Sequence, residues 1–130
     1  MKIRNIFAWT AGLGLLSLAP LASIRAGVAS PEADHGRDLF AKRCSGCHAL
    51  DLDKEGPRLR GVFGRKAGAV AGFPYSDALR NSGIIWDENG LNRWRQNPEE
   101  AVKNTNMEFR VSDAAERAAL IEFLKSAVSR

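Results

Sequence analysis

A chain of 130 residues has room for one domain. Its formal charge of +4 comes from 19 basic and 15 acidic residues, yet Lys2, Arg4 and Arg25 all precede position 30, which leaves 16 basic against 15 acidic residues for the remainder. At +1 that remainder lacks the basic footprint that nucleic-acid binding needs, and a domain of roughly 100 residues can bury only a limited apolar core of its own.

Residues 1–29 read as a secretory leader. Lys2 and Arg4 form a positive start, Asn5 to Ile24 is uncharged, and small residues crowd positions 22–30. Cleavage is expected after Ala26, Ala29 or Ser30. The alternative is a retained membrane anchor, since the uncharged stretch approaches the length of a bilayer span. Thr10, Gly12, Gly14, Ser17, Pro20 and Ser23 interrupt that stretch and favour cleavage. Either way residues 30–130 form the working domain and lie outside the cytoplasm, in the periplasm.

Within that domain Ser30-Pro31-Glu32 is a helix start, with a cap, a proline at the first position and an acid in the first turn. The helix runs to about Cys44 and places Leu39, Phe40 and Arg43 on one face. Residues 49–74 carry Gly56, Gly61, Gly64, Gly68, Gly72, Pro57 and Pro74, the composition of a loop. A short helix over Tyr75 to Asn81 is closed by Gly83. Asp87 caps a helix over Glu88 to Gln96, and Asn97-Pro98-Glu99-Glu100 opens another short one. Ser112 or Asp113 starts the last, whose Ala115, Ala118, Ala119, Leu120, Ile121, Phe123, Leu124 and Val128 give a wide apolar face. No stretch alternates long enough for a sheet. The fold class is all-α, with about five helices and long loops.

Cys44-Ser45-Gly46-Cys47-His48 has the C-x-x-C-H spacing of covalent haem attachment. Two thiols must reach the two vinyl groups along one edge of a single macrocycle, and the next residue must bring an imidazole under the iron. Gly46 and Ser45 are small enough for the peptide to lie near the ring. His48 is then the proximal ligand, its second ring nitrogen held by a backbone carbonyl. Three other readings compete. A thioredoxin-like dithiol needs a βαβ setting, a zinc site needs four ligands where the chain offers Cys44, Cys47, His48 and a distant His35, and a disulfide leaves His48 without a role. A sixth ligand follows by elimination. Beyond the leader the only methionine is Met107 and the only other histidine is His35, which lies on the proximal segment. Met107 occupies an irregular stretch between two helices and is the candidate. His/Met ligation fills both axial positions and gives a relatively high potential.

With these residues in place the chain resembles the class I cytochromes c over about Gly36 to Lys125. Gly36-x-x-x-Phe40 is similar to the family's first helix, which the resemblance implies crosses the last at Gly36, Phe40, Leu120 and Phe123. Gly56 to Gly68 looks like the family's proximal loop. By that resemblance the Pro57 carbonyl holds the His48 ring and Leu59 packs on the haem. Arg65, Tyr75 and Trp86 match positions that hydrogen-bond a buried propionate, and Phe109 matches the aromatic that shields the haem edge. Trp94 stands where a tyrosine usually donates to the methionine sulfur. Arg95 falls where the family buries a leucine, with a propionate contact or a snorkelling stem as its two readings. Lys103-Asn104-Thr105-Asn106 replaces Pro-Gly-Thr-Lys, which implies a looser ligand loop. Glu99, Glu100 and Asn106 replace lysines of the docking face, so the partner surface need not be acidic.

The resemblance implies one haem c joined through Cys44 and Cys47 and a one-electron carrier rather than an enzyme. The carrier shuttles between donor and acceptor redox proteins as a monomer, with no nucleic-acid partner and a membrane only if the leader is retained. The alternative is a dedicated haem subunit of one periplasmic oxidoreductase complex. A third reading, ligand sensing or peroxidatic chemistry, requires Met107 to dissociate.

Overall fold

A computed structural model describes residues 30–128; the leader expected over residues 1–29 lies outside them. Each helix begins where a side chain can accept an amide that the first turn leaves unpaired. Helix α1 (Pro31–Arg43) starts where Ser30 Oγ accepts the Ala33 N–H at 3.1 Å, and Pro31 takes a position that needs no amide. Ser76 does the same for α2 (Asp77–Asn81), Asp87 for α3 (Glu88–Gln96), Asn97 for α4 (Pro98–Ala101) and Asp113 for α5 (Ala114–Ser126). The described residues therefore form an all-α fold of five helices, with a single isolated antiparallel bridge between Lys66 and Ile85. Among them no helix is long and apolar enough to cross a membrane.

The start of α2 differs from the expectation of Tyr75. Ser76 Oγ accepts the Leu79 N–H at 3.2 Å, which makes Ser76 the cap and leaves Tyr75 outside the helix. The apolar face of α5 is also narrower than its sequence suggests. Ala119, Leu120, Ile121, Phe123 and Leu124 are buried, but Ala115, Ala118 and Val128 are exposed. Arg117 is buried instead, because Asn92 and two backbone carbonyls absorb its donors.

Helices α1 and α5 cross at Gly36. A Cβ there would lie 1.9 Å from the Ala119 carbonyl oxygen and 2.8 Å from Phe123 Cβ, so only glycine permits this approach. The close crossing brings the Phe40 and Phe123 rings to 5.3 Å and seals Leu120 and Leu124 in the centre. The expected contact of Gly36 and Phe40 with α5 is thus present, with Ala119 as the backbone partner. Gly36→Ala is expected to destabilise the protein by about 3 kcal/mol, because backbone rather than a flexible side chain must yield. Denaturant unfolding of the purified protein measures it.

The crossing matters for the site because it fixes the end of α1. Cys44 is the C-cap of that helix, its N–H bonded to the Phe40 carbonyl at 2.9 Å. The chain from there to α2 is a long loop held by scattered backbone bonds. Leu59 and Arg60 donate to Ala49 and Leu50, and Gly61 donates to Ala127 at the end of α5. Gly64 and Ala67 donate to Trp86 and Ile84, and Trp86 donates back to Arg65. Gly68 turns this loop with φ +73°, and a Cβ there would fall 2.8 Å from the Arg80 α-carbon.

Candidate haem site

The loop closes over a cavity of about 770 Å³ between α1, α3 and the 105–109 segment. That is within the roughly 300–1,000 Å³ of ordinary ligand and cofactor pockets. Cys44, Cys47, His48, Pro57, Leu59, Arg65, Tyr75, Trp86, Trp94, Met107 and Phe109 all line it, so the residues expected to hold and surround a haem reach one space.

The attachment segment is built as a tight turn off the end of α1. Cys47 and His48 donate their amides to the Cys44 carbonyl at 3.1 and 2.8 Å. Cys44 is buried, Cys47 is exposed, and neither is in a disulfide. Lys54 Nζ donates to the Ser45 carbonyl and ties the far side of the loop to the turn. Among the described residues no group of three or more His, Cys, Asp and Glu side chains could hold a metal ion, so the zinc reading finds no fourth or even third ligand.

His48 is oriented from below by the proximal loop. Its Nδ1–H donates to the Pro57 carbonyl at 2.8 Å, which assigns the tautomer and leaves Nε2 as the nitrogen with a lone pair. Gly56 N–H donates to the Cys47 carbonyl at 2.8 Å, which brings the loop close to the imidazole. A Cβ on Gly56 would fall 2.2 Å from His48 Cε1 and 2.6 Å from Nδ1. Burial holds the His48 imidazole below its ordinary range; the Pro57 bond opposes this, and the charges of Arg95 and Lys54 reinforce it. The ring is therefore kept neutral at neutral pH, the form a metal requires.

Elsewhere on the cavity wall Trp94 Nε1–H donates to Met107 Sδ at 3.1 Å, fixing the thioether with its remaining lone pair free. The Trp94 ring meets Trp86 at 5.3 Å with the two planes tilted by 58°, and both are buried. The segment carrying Met107 is anchored despite its missing proline and glycine. Asn104 takes a left-handed conformation (φ 62°), and its N–H is held by both Glu99 carboxylate oxygens at 3.1 Å. Glu99→Ala is expected to let this segment open, so that on heating any spectral signature of Met107 fades at a lower temperature than the helical circular dichroism.

The remaining polar groups stand at one side. Arg65 donates to the carbonyls of Arg58 and Arg60 at 3.0 and 3.1 Å, and burial lowers its guanidinium below the usual range. Burial pushes the Tyr75 phenol up, which keeps it a neutral donor; its ring meets Phe73 edge-on at 4.8 Å. The Lys66–Ile85 bridge sets Arg65 beside Trp86. Leu59 is buried in the wall, and Phe109, 45% exposed, stands at the mouth. One lining residue was left with two readings in the sequence, a propionate contact or a snorkelling stem. Arg95 is 5% exposed, and its Nε is buried with no hydrogen-bond partner. Its departure from leucine was a visible signal of this. The donor set of two thiols, a neutral imidazole and a thioether, set in apolar walls with spare buried donors, fits a covalent haem.

The comparisons with known proteins agree. The sequence model of the family described as Cytochrome c matches residues 33–127. Cytochrome c type-1 of Ascaris suum is 41% identical over 73% of this chain and 89% of its own length, and cytochrome c of Cochliobolus lunatus is 40% identical over 72% and 91%. The solved structure of cytochrome cH from Methylobacterium extorquens superposes with a TM-score of 0.69 at 38% identity, covering 72% of this chain and 97% of that one. Similarity at this level, continuous from the start of α1 to the end of α5, makes the chain a member of the cytochrome c family, a haem-based electron carrier whose two cysteines are its means of holding haem c.

Proposed function

We propose that the protein is an exported one-electron carrier with a His48/Met107-ligated haem, residues 1–29 being its signal peptide and residues 30–130 its monohaem domain. The observation that carries this is the pairing of two fixed ligand atoms on one cavity. His48 Nε2 is freed by the Pro57 bond, and Met107 Sδ is held by Trp94. The haem supplies a metal that alternates between Fe(III) and Fe(II).

The chain's own residues do the rest. Cys44 and Cys47 tether the group, while Pro57 and Trp94 keep the two ligands in place in both oxidation states, which limits reorganisation. Arg65, Tyr75 and Trp86 provide donors for a buried propionate, whose charge needs such partners in an apolar wall. Leu59 excludes water on the proximal side, and Phe109 at the mouth covers the edge through which electrons leave. With His48 and Met107 both held to bind the iron, no position on it would be left for a substrate. The Glu99 clamp on Asn104 supports a retained Met107 over the sensing and peroxidatic readings.

Donor and acceptor are redox proteins. The rim around the mouth carries Asp53, Lys54, Glu55 and Glu108 together, so docking rests on mixed charge rather than on a lysine ring. The expected behaviour is that of a monomer outside the cytoplasm. A redox titration of the purified holoprotein tests the reading. A reversible one-electron step with unchanged elution on size exclusion is expected, whereas irreversible or multi-electron behaviour would refute it.

A further inference from the structure

The fold buries two arginines and treats them differently. Arg117, 7% exposed, has acceptors all around it: Asn92 Oδ1 at 2.8 Å and the carbonyls of Val111 and Ser112 at 2.9 and 2.8 Å. Those bonds join α5 to α3 and to the segment before α5, which is sufficient reason for a buried guanidinium. Arg95, more deeply buried, has nothing comparable. Its Nη1 donates to the Cys44 sulfur at 3.8 Å, its Nε has no partner, and among the described residues it forms no salt bridge. A buried cation with a sulfur as its acceptor is costly, and an apolar side chain would pack the same position more cheaply. The cost calls for a compensating role.

The position supplies one. Arg95 lines the haem cavity, and its guanidinium lies against the sulfur through which the macrocycle is tethered. Covalent attachment through Cys44 would therefore hold the haem beside a buried positive charge. We propose that Arg95 sets the reduction potential of this protein, raising it by favouring the reduced haem over the oxidised one. When one electron arrives from a donor protein, ferric iron becomes ferrous and the haem core loses one unit of positive charge. A nearby cation destabilises the more positive, oxidised core, and the low polarity around it lets the effect survive. This inference rests on the electron-carrier reading above but not on the identity of the sixth ligand.

The test compares holoproteins of the native chain, Arg95→Met, Arg95→Lys and, as a second neutral variant, Arg95→Gln. Each is measured for midpoint potential at low and high salt, for thermal unfolding and for the sulfur–iron band. The neutral variants are expected to lower the reduction equilibrium constant at least tenfold, about 59 mV for one electron. Arg95→Lys should retain most of the native potential, and the difference should persist at about 1 M salt, where surface charges are screened. Arg95→Met should unfold at a higher temperature than the native chain, so that stability and potential move in opposite directions. A shift below tenfold in both neutral variants would mean that the charge is neutralised, by a propionate for instance, and would overturn the proposal. So would an equal fall in the lysine variant, or a loss of stability together with potential, since either would make Arg95 a packing residue. Failure of the His/Met reading is separable, because it would remove the sulfur–iron band from the native protein and leave the Arg95 comparison intact.

Discussion

Met107→Ala is expected to change a closed carrier into a ligand-binding haem protein, with rapid carbon monoxide binding on reduction. The midpoint potential should fall by about 120 mV or more, two powers of ten in the reduction equilibrium. The physical reason is the loss of a soft thioether that favours the reduced metal. Trp94, left with its indole N–H in a buried wall and no acceptor, adds to the loss of order there. Stopped-flow mixing with carbon monoxide reads the first effect and potentiometry the second. No other methionine follows the leader and His35 is exposed at the outer side of α1, so no side chain is placed to substitute.

Gly56→Ala is expected to be nearly as damaging, by acting on His48. The added Cβ would meet three atoms of the His48 imidazole at 2.2 to 2.7 Å. That ring cannot swing away freely, because Nδ1 is bound to Pro57 and the neighbouring Cys47 carbonyl accepts the Gly56 amide. The variant should yield mostly protein lacking haem, or haem with a weakened proximal ligand. The ratio of haem absorbance to protein absorbance in the purified material measures it. A normal ratio and a normal spectrum would show that the proximal loop is softer than its hydrogen bonds imply.

Much of this was legible in the sequence, for identifiable reasons. Four helix starts are written in single side chains. Ser30, Asp87, Asn97 and Asp113 each accept an amide three residues on; the first three were visible as caps before an N1 proline or a first-turn acid, and Asp113 was one of two candidates with Ser112. The attachment turn was legible because its chemistry demands a fixed spacing. The cavity walls came from resemblance, since nothing local marks Tyr75 or Trp86 as neighbours of His48. Their meeting depends on backbone bonds between Arg65 and Trp86 across a loop without regular structure.

What the sequence did not reveal depends on tertiary partners. The burial of Arg117 required Asn92, 25 residues away, and the exposure of Ala115 and Ala118 depends on how far α1 reaches along α5. The ligand loop is the clearest case. Lys103-Asn104-Thr105-Asn106 lacks the rigid residues expected before the methionine, and the rigidity comes instead from a carboxylate five residues earlier, on α4. A polar clamp on a left-handed asparagine takes the place of proline and glycine.

The central claim, that His48 and Met107 together close the iron, is tested most directly by the near-infrared absorption of the oxidised holoprotein. A weak sulfur–iron band that disappears on reduction is the predicted result. Its absence from fully oxidised, folded protein would contradict the account.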